Sequence, residues 1–217
     1  MLRPLQAAAI LIAFAILPAC AAEPAASGRA REAVVGLPCE GCEAVFAGLP
    51  ATLTAHARIA PADEPGRPLR IKGTIFDGAG MPAPGVIVYA YQTNAQGLYP
   101  PAGTAAHHHG RLRGWAQSDA EGRYAFDTVR PGGYPDSDLP EHVHLHVIEV
   151  GRCTYYIDDV LFEDDPRLTA AKRATLITGR GGSGLAMPTL DEAGVHVVVR
   201  DIHLGRNIPG YPEGGRE

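Results

Sequence analysis

The chain has 217 residues, a formal net charge of -5 and nine histidines. Such a charge gives no general attraction to nucleic acid or anionic lipid. The 26 glycines and 19 prolines argue against a helical bundle and for short strands joined by turns, and the length suits one domain behind a leader.

Arg3 precedes an apolar run from Ala7 to Leu17, too short to span a bilayer and of secretory-signal length. Leu17-Pro18-Ala19-Cys20 resembles a bacterial lipobox, whose cysteine becomes a lipidated first residue. Residues 1–20 are therefore expected to export the chain, either as a lipoprotein anchored at Cys20 or by ordinary cleavage after Ala19-Cys20-Ala21. Residues 21–68 read as a linker, with a short helix between Glu40 and Ala47 and a loop over 56–68. An exported chain sits where disulfides persist. The Cys39-x-x-Cys42 pair either closes on itself or sends one sulfur to Cys153 in a structural role.

From Leu69 the pattern turns to strands. Leu69–Phe76, Val86–Gln92, Arg113–Ser118, Arg123–Thr128, the histidine run from His142, Cys153–Phe162 and Val195–Leu204 each carry strand residues bounded by turns. A short helix is expected from Asp164-Asp165-Pro166 to about Leu176, and a Gly-rich loop over 178–193. The spacing predicts an all-β fold, an antiparallel β-sandwich over 69–217 with short helical and loop extensions. His107-His108-His109 reads as a solvated loop, and Trp115, Tyr155 and Tyr156 as packing residues.

The stretch from Arg130 to Glu149 carries the chemistry. Tyr134 stands in a Pro-Gly-Gly turn, and His142, His144 and His146 follow at strict alternation. Positions two apart in a strand share a face, so three imidazoles line one side, with Val143, Leu145 and Val147 on the other. A bound metal is the economical reason for such a face.

Four blocks, GTIFDGAGMPAPGVIVYAYQTNAQGLY, RLRGWAQSDAEGRYAFDTVRPGGYP, HVHLHV and DDVLFEDDP, resemble the intradiol ring-cleavage dioxygenases in order and spacing. The resemblance implies one non-haem Fe(III) held by Tyr99, Tyr134, His142 and His144, with His146 beyond the ligand motif as a second-layer or satisfied core histidine. It further implies a catechol-type substrate that chelates as catecholate and displaces Tyr134, reacting with O2 to give a muconate-type diacid. Free tyrosine ionises near pH 10, so two phenolate ligands suit a strongly charged cation.

Two departures stand out. The family's arginine shortly before the first histidine is absent, and the connection holds Asp136, Asp138 and Glu141. Asp159 stands where the family carries a glutamine, which marks it as a catalytic candidate beside Tyr134. Arg111, Arg113 and Arg130 are the cations that could substitute, Arg130 being the one expected in the scaffold. Two other readings compete with the iron enzyme. One is an exported sandwich of this lineage that binds metal or a partner without turnover. The other is Cu(II) or Zn(II) on the three-histidine face, with the tyrosines as core.

Overall fold

The computed structural model describes residues 33–39, 41–102 and 108–214. The leader, Cys20 and His107 lie outside these residues. No helix among the described residues is long and apolar enough to cross a membrane.

Among the described residues, twelve strands and one α-helix follow in order: β1 (Ala33–Val34), β2 (His56–Arg58), β3 (Pro68–Phe76), β4 (Ile87–Tyr91), β5 (Arg113–Gln117), β6 (Arg123–Val129), β7 (His142–Glu149), β8 (Cys153–Phe162), α1 (Ala170–Leu176), β9 (Leu185–Ala186), β10 (Thr189–Leu190), β11 (His196–Val199) and β12 (Ile202–His203). One sheet runs β1-β8-β7-β4-β5 with β9 beside β8. The other runs β10-β11-β3-β6-β2 with β12 beside β3. The longer strands pair antiparallel, β3 with β6, β4 with β5 and β7, and β7 with β8, while the short additions β1, β2, β9, β11 and β12 join in parallel.

The sandwich starts earlier than the expected residue 69. β1 extends one sheet and β2 the other, both from the segment read as linker. They are too short to show a period, so only their partners define them. The helical turn expected near Glu40–Ala47 is a 3-10 helix over Cys42–Phe46. Helix α1 begins later than the Asp-Asp-Pro signal suggested. Thr169 caps it by accepting from the Lys172 N–H, while the Asp165 carboxylate is spent on the backbone N–H groups of Glu141 and Arg167.

The expected last strand breaks at Arg200, whose side chain is fully buried. Its guanidinium donates to the carbonyls of Gly181 and Asp158, tying the glycine-rich loop to β8. Between the sheets lies one core, with Ile71, Phe126, Val143, Leu145, Val147, Ile157 and Val198 among its members. A second cluster covers the outer face of the β4–β7 sheet, where Val45, Phe46 and Leu49 pack on Tyr89, Tyr91 and Ile148.

Candidate metal centre

β7 places its histidines as the alternation requires: Val143, Leu145 and Val147 sit in the core, and the imidazoles face outward over Tyr89, Tyr91 and Tyr156. Tyr89 and Tyr91 also share a face by alternation and pair with His146 and His144 in register. Tyr91 stacks on His144 with ring centroids 4.4 Å apart.

The β7–β8 ladder is irregular here. Val143 faces Val160 and Leu145 faces Ile157, so β8 advances three residues where β7 advances two. This bulge sets Asp158 and Asp159 opposite His144. Asp159 Oδ1 lies 3.0 Å from His144 Nδ1 and accepts from Tyr156 Oη at 2.6 Å. Asp158 turns to the other side and accepts from Thr178 N, Thr178 Oγ1 and Gly179 N. Gly184 passes so close that a Cβ there would meet the Asp159 carbonyl oxygen at 1.8 Å.

The tyrosines come from two loops clamped together. Asn94 Oδ1 accepts from Gln96 N and Leu98 N, shaping the turn that delivers Tyr99. Gly132 N donates to the Asn94 carbonyl at 2.8 Å, and Thr93 Oγ1 donates to the Gly132 carbonyl at 2.8 Å. Gly97, at φ 77, lets the backbones meet: a Cβ there would lie 2.1 Å from the Gly133 oxygen. Gly132 and Gly133 are likewise hemmed in, so they serve close packing rather than a loose hinge. Arg130 anchors the other end of the Tyr134 connection through Glu141 at 2.6 Å and Asp164 at 2.7 Å.

Four donor atoms converge. Tyr99 Oη lies 2.9 Å from Tyr134 Oη and 3.0 Å from His144 Nε2. His142 Nε2 lies 3.1 Å from His144 Nε2 and 3.3 Å from Tyr134 Oη. His142 Nδ1 must donate, because its partner at 2.7 Å is the Pro140 carbonyl. His144 Nδ1 faces the Asp159 carboxylate and donates in the same way. With each Nδ1 turned to an acceptor, both Nε2 atoms point to one place, together with two phenol oxygens.

Electrostatics agree. Burial, then the neighbouring His144, pushes the His142 imidazole below its ordinary range, so it is a neutral donor. Burial alone would raise the Asp159 carboxyl, but the facing His144 and His142 imidazoles outweigh it and hold the group below the usual carboxylate range. Burial and the adjacent Tyr134 phenol push Tyr99 far above pH 10, so it ionises only beside a strong positive charge. Two imidazole nitrogens and two phenols, whose protons can leave, thus have the chemistry to hold a metal cation. His142, His144 and Asp159 also lie close enough for a three-ligand set, though Asp159 is already engaged by His144 and Tyr156.

Two cavities open on this cluster. One of about 540 Å³ is lined by Tyr91, Tyr99, His108, His109, Tyr134 and His144 among others. One of about 430 Å³ lies on the side of His142 and Asp159, with Leu139, Pro140, Leu161, Leu176 and Arg180 in its wall. Of the cations considered in the sequence, Arg111 is paired with Glu64 and Arg113 lies over Trp115. Arg180 faces the second cavity instead, its guanidinium 5.5 Å from the Tyr156 ring centroid and its buried Nε without a hydrogen-bond partner.

Several expectations change. His109 is not a solvated loop residue: it is 2% exposed, stacks on Tyr91 at 3.8 Å and bonds to Tyr89 Oη. Tyr156 is more than packing, since it lines both cavities and orients Asp159. His146 is buried, but not satisfied: neither ring nitrogen has a hydrogen-bond partner. Cys39 pairs with Cys42, and Cys153 is a buried free thiol. Alternation along β4 was the signal for Tyr91. The three-histidine run beside Tyr99 was the signal for His109, and nothing local in the sequence pointed to Arg180.

The family model described as Dioxygenase matches residues 45–178. The protocatechuate 3,4-dioxygenase beta chain of Burkholderia cepacia is 29% identical over 114 residues, covering 48% of this chain and 48% of that protein. Catechol 1,2-dioxygenase 1 of Acinetobacter lwoffii is 37% identical over 73 residues, 33% of this chain and 24% of its own length. The chain thus spans about half or less of these curated relatives. Among solved structures, the dioxygenase domain of a Streptomyces sp. SirexAA-E dioxygenase carbohydrate-binding fusion matches with TM-score 0.55 and 22% identity, covering 72% of this chain and 91% of that one. Catechol 1,2-dioxygenase of Acinetobacter sp. ADP1 matches with TM-score 0.56 and 21% identity, covering 77% of this chain and 63% of that one. At these identities the structural likeness shows the fold.

Proposed function

The chain belongs to the intradiol ring-cleavage dioxygenase family, oxidoreductases that incorporate both atoms of O2, and on that premise we propose that it is a non-haem Fe(III) enzyme. Its reaction is cleavage of a catechol-type aromatic between the two hydroxyl-bearing carbons, giving a muconate-type diacid. The observation that carries this reading is the convergence of Tyr99, Tyr134, His142 and His144 with both histidine Nδ1 atoms committed elsewhere. These four residues would hold the ion. A bound ferric ion supplies Lewis acidity, which favours the ionised forms of phenol and catechol.

The protein's own groups do the rest. Asp159, steadied by Tyr156, holds the His144 proton at Nδ1 and fixes the ring. Pro140 does the same for His142. Tyr134, with Tyr99 Oη as a hydrogen-bond partner 2.9 Å away, would take a proton from a catechol hydroxyl at its Oη. The walls at Leu139, Pro140, Leu161 and Leu176 suit an aromatic ring, and Arg180 suits an anionic substituent on it.

A second reading, a metal-binding member without turnover, draws on the acids Asp136, Asp138 and Glu141 in the Tyr134–His142 connection. Two of them are already paired, Asp138 with Lys172 and Glu141 with Arg130. Oxygen uptake with a panel of catechols decides between the readings. The enzyme consumes O2, and its product carries both atoms of labelled dioxygen; a silent binder consumes none. Iron-loaded protein is expected to be coloured by tyrosinate-to-ferric charge transfer, altered in both Tyr99→Phe and Tyr134→Phe. Colourless iron-loaded protein would sink the two-tyrosine site. Export is part of the same proposal, supported by residues 1–20, and the mass of the mature N-terminus tests it.

A further inference from the structure

His146 is the histidine the four-donor cluster leaves aside. It is 1% exposed, and both ring nitrogens lack a hydrogen-bond partner. Leaving a buried polar group unmet is costly, so an imidazole kept this way calls for an occupant. What it faces is the Cys39–Cys42 turn. The two sulfurs and a His146 nitrogen all lie within 4.8 Å of one another. The turn is held tight: Gly41 is left-handed at φ 65, and a Cβ there would lie 2.6 Å from His109 Nε2. Cys39 and His146 both line the larger cavity, beside His108 and His109.

In the structure the two cysteines form a disulfide. A dithiol reductant delivers two electrons and two protons, becoming a disulfide itself and leaving two thiols. A divalent ion then displaces the two thiol protons. Two thiolates, one neutral imidazole and a divalent ion sum to zero charge, which suits a buried position. Thiolate and imidazole together select soft or borderline ions, Zn(II) above all, over hard ones. We propose that Cys39, Cys42 and His146 form a second metal site, open only when the cysteine pair is reduced and taking a thiophilic ion such as Zn(II). It shares no ligand with the tyrosine–histidine cluster and does not rest on the reading of that cluster as an iron enzyme.

The test uses the whole chain without turnover. The protein is reduced anaerobically with a dithiol, freed of reductant and titrated with Co(II) as the visible probe for Zn(II). The expected result is one equivalent bound with thiolate-to-Co(II) absorption and two protons released per ion. The oxidised chain shows no such absorption. His146→Gln weakens this binding at least about tenfold, the loss of one first-layer donor exceeding the lower bound seen for outer partners. Cys39→Ser with Cys42→Ser abolishes the band. The proposal is overturned if reduced wild-type protein shows no thiolate band, if the pair resists the dithiol, if His146→Gln binds as tightly as wild type, or if the band survives in the double serine variant. The oxidised and reduced wild-type comparison stands even where a variant fails to fold.

Discussion

Along β7 the inward face carries Val143, Leu145 and Val147 and the outward face His142, His144 and His146, alternating through the same eight residues. The inward side chains are fully buried among aliphatic and aromatic neighbours and ask only for volume. Two of those outward meet directional partners: a carbonyl for His142, a carboxylate for His144, phenol oxygens for both. One strand thus feeds the fold from one side and the chemistry from the other. A one-residue slip in register would exchange the two sets. Stability and chemistry should therefore respond to different substitutions only one residue apart.

The sharpest way to break that separation is to change neighbours. His144→Gln is expected to remove the visible band and all measurable turnover at a cost to metal-free stability of about 1 kcal/mol. Leu145→Ala is expected to cost about 2–5 kcal/mol in urea unfolding yet keep the colour in the folded fraction. If His144→Gln unfolds the chain, or Leu145→Ala proves neutral, the two faces are not independent. Asp159→Asn probes the support of the outward face. It should lower iron affinity about 10–100-fold in chelator competition, and unchanged affinity would remove the carboxylate from the account.

Arg180→Gln tests the far wall. KM for a carboxylate-bearing catechol should rise about tenfold, the worth of a charge-assisted hydrogen bond, with little change for an uncharged catechol. Equal effects on both substrates would deny Arg180 a role in charge recognition.

The smallest effect concerns Tyr89, beneath the outward face. Burial raises its phenol from 10.0 to about 12. Between those values the unfolded chain loses the proton while the folded one keeps it. The stability it contributes is whole below pH 10 and falls as pH rises through that window. Tyr89→Phe should flatten this alkaline decline by on the order of 1 kcal/mol at pH 11, read from urea midpoints of metal-free protein at pH 9 and pH 11. An unchanged slope would place the titration elsewhere.

Much of this was legible in the sequence because it follows from period two. The histidine face comes from alternation and the main strands from runs of strand-forming residues bounded by turns, neither of which needs a partner to be seen. The convergence of Tyr99 with Tyr134 was reached through the resemblance, since the residues are 35 apart and meet through loop clamps. What stayed hidden depends on distant partners. β1 and β2 are defined only by the strands they join. Arg180 reaches the cavity through a loop that buried Arg200 organises. Asp159 was picked out by its position, but its hold on His144 comes from a bulge that no propensity encodes.

The contact between Gly97 and the Gly133 carbonyl has a genetic consequence. Neither residue offers an atom to the cluster, yet each ends one of the two loops that deliver a phenol. Any side chain at position 97 must push the loops apart and carry both tyrosines with it. A Gly97→Ala variant would therefore present in a screen as the loss of two donors at once, although every donor residue is intact.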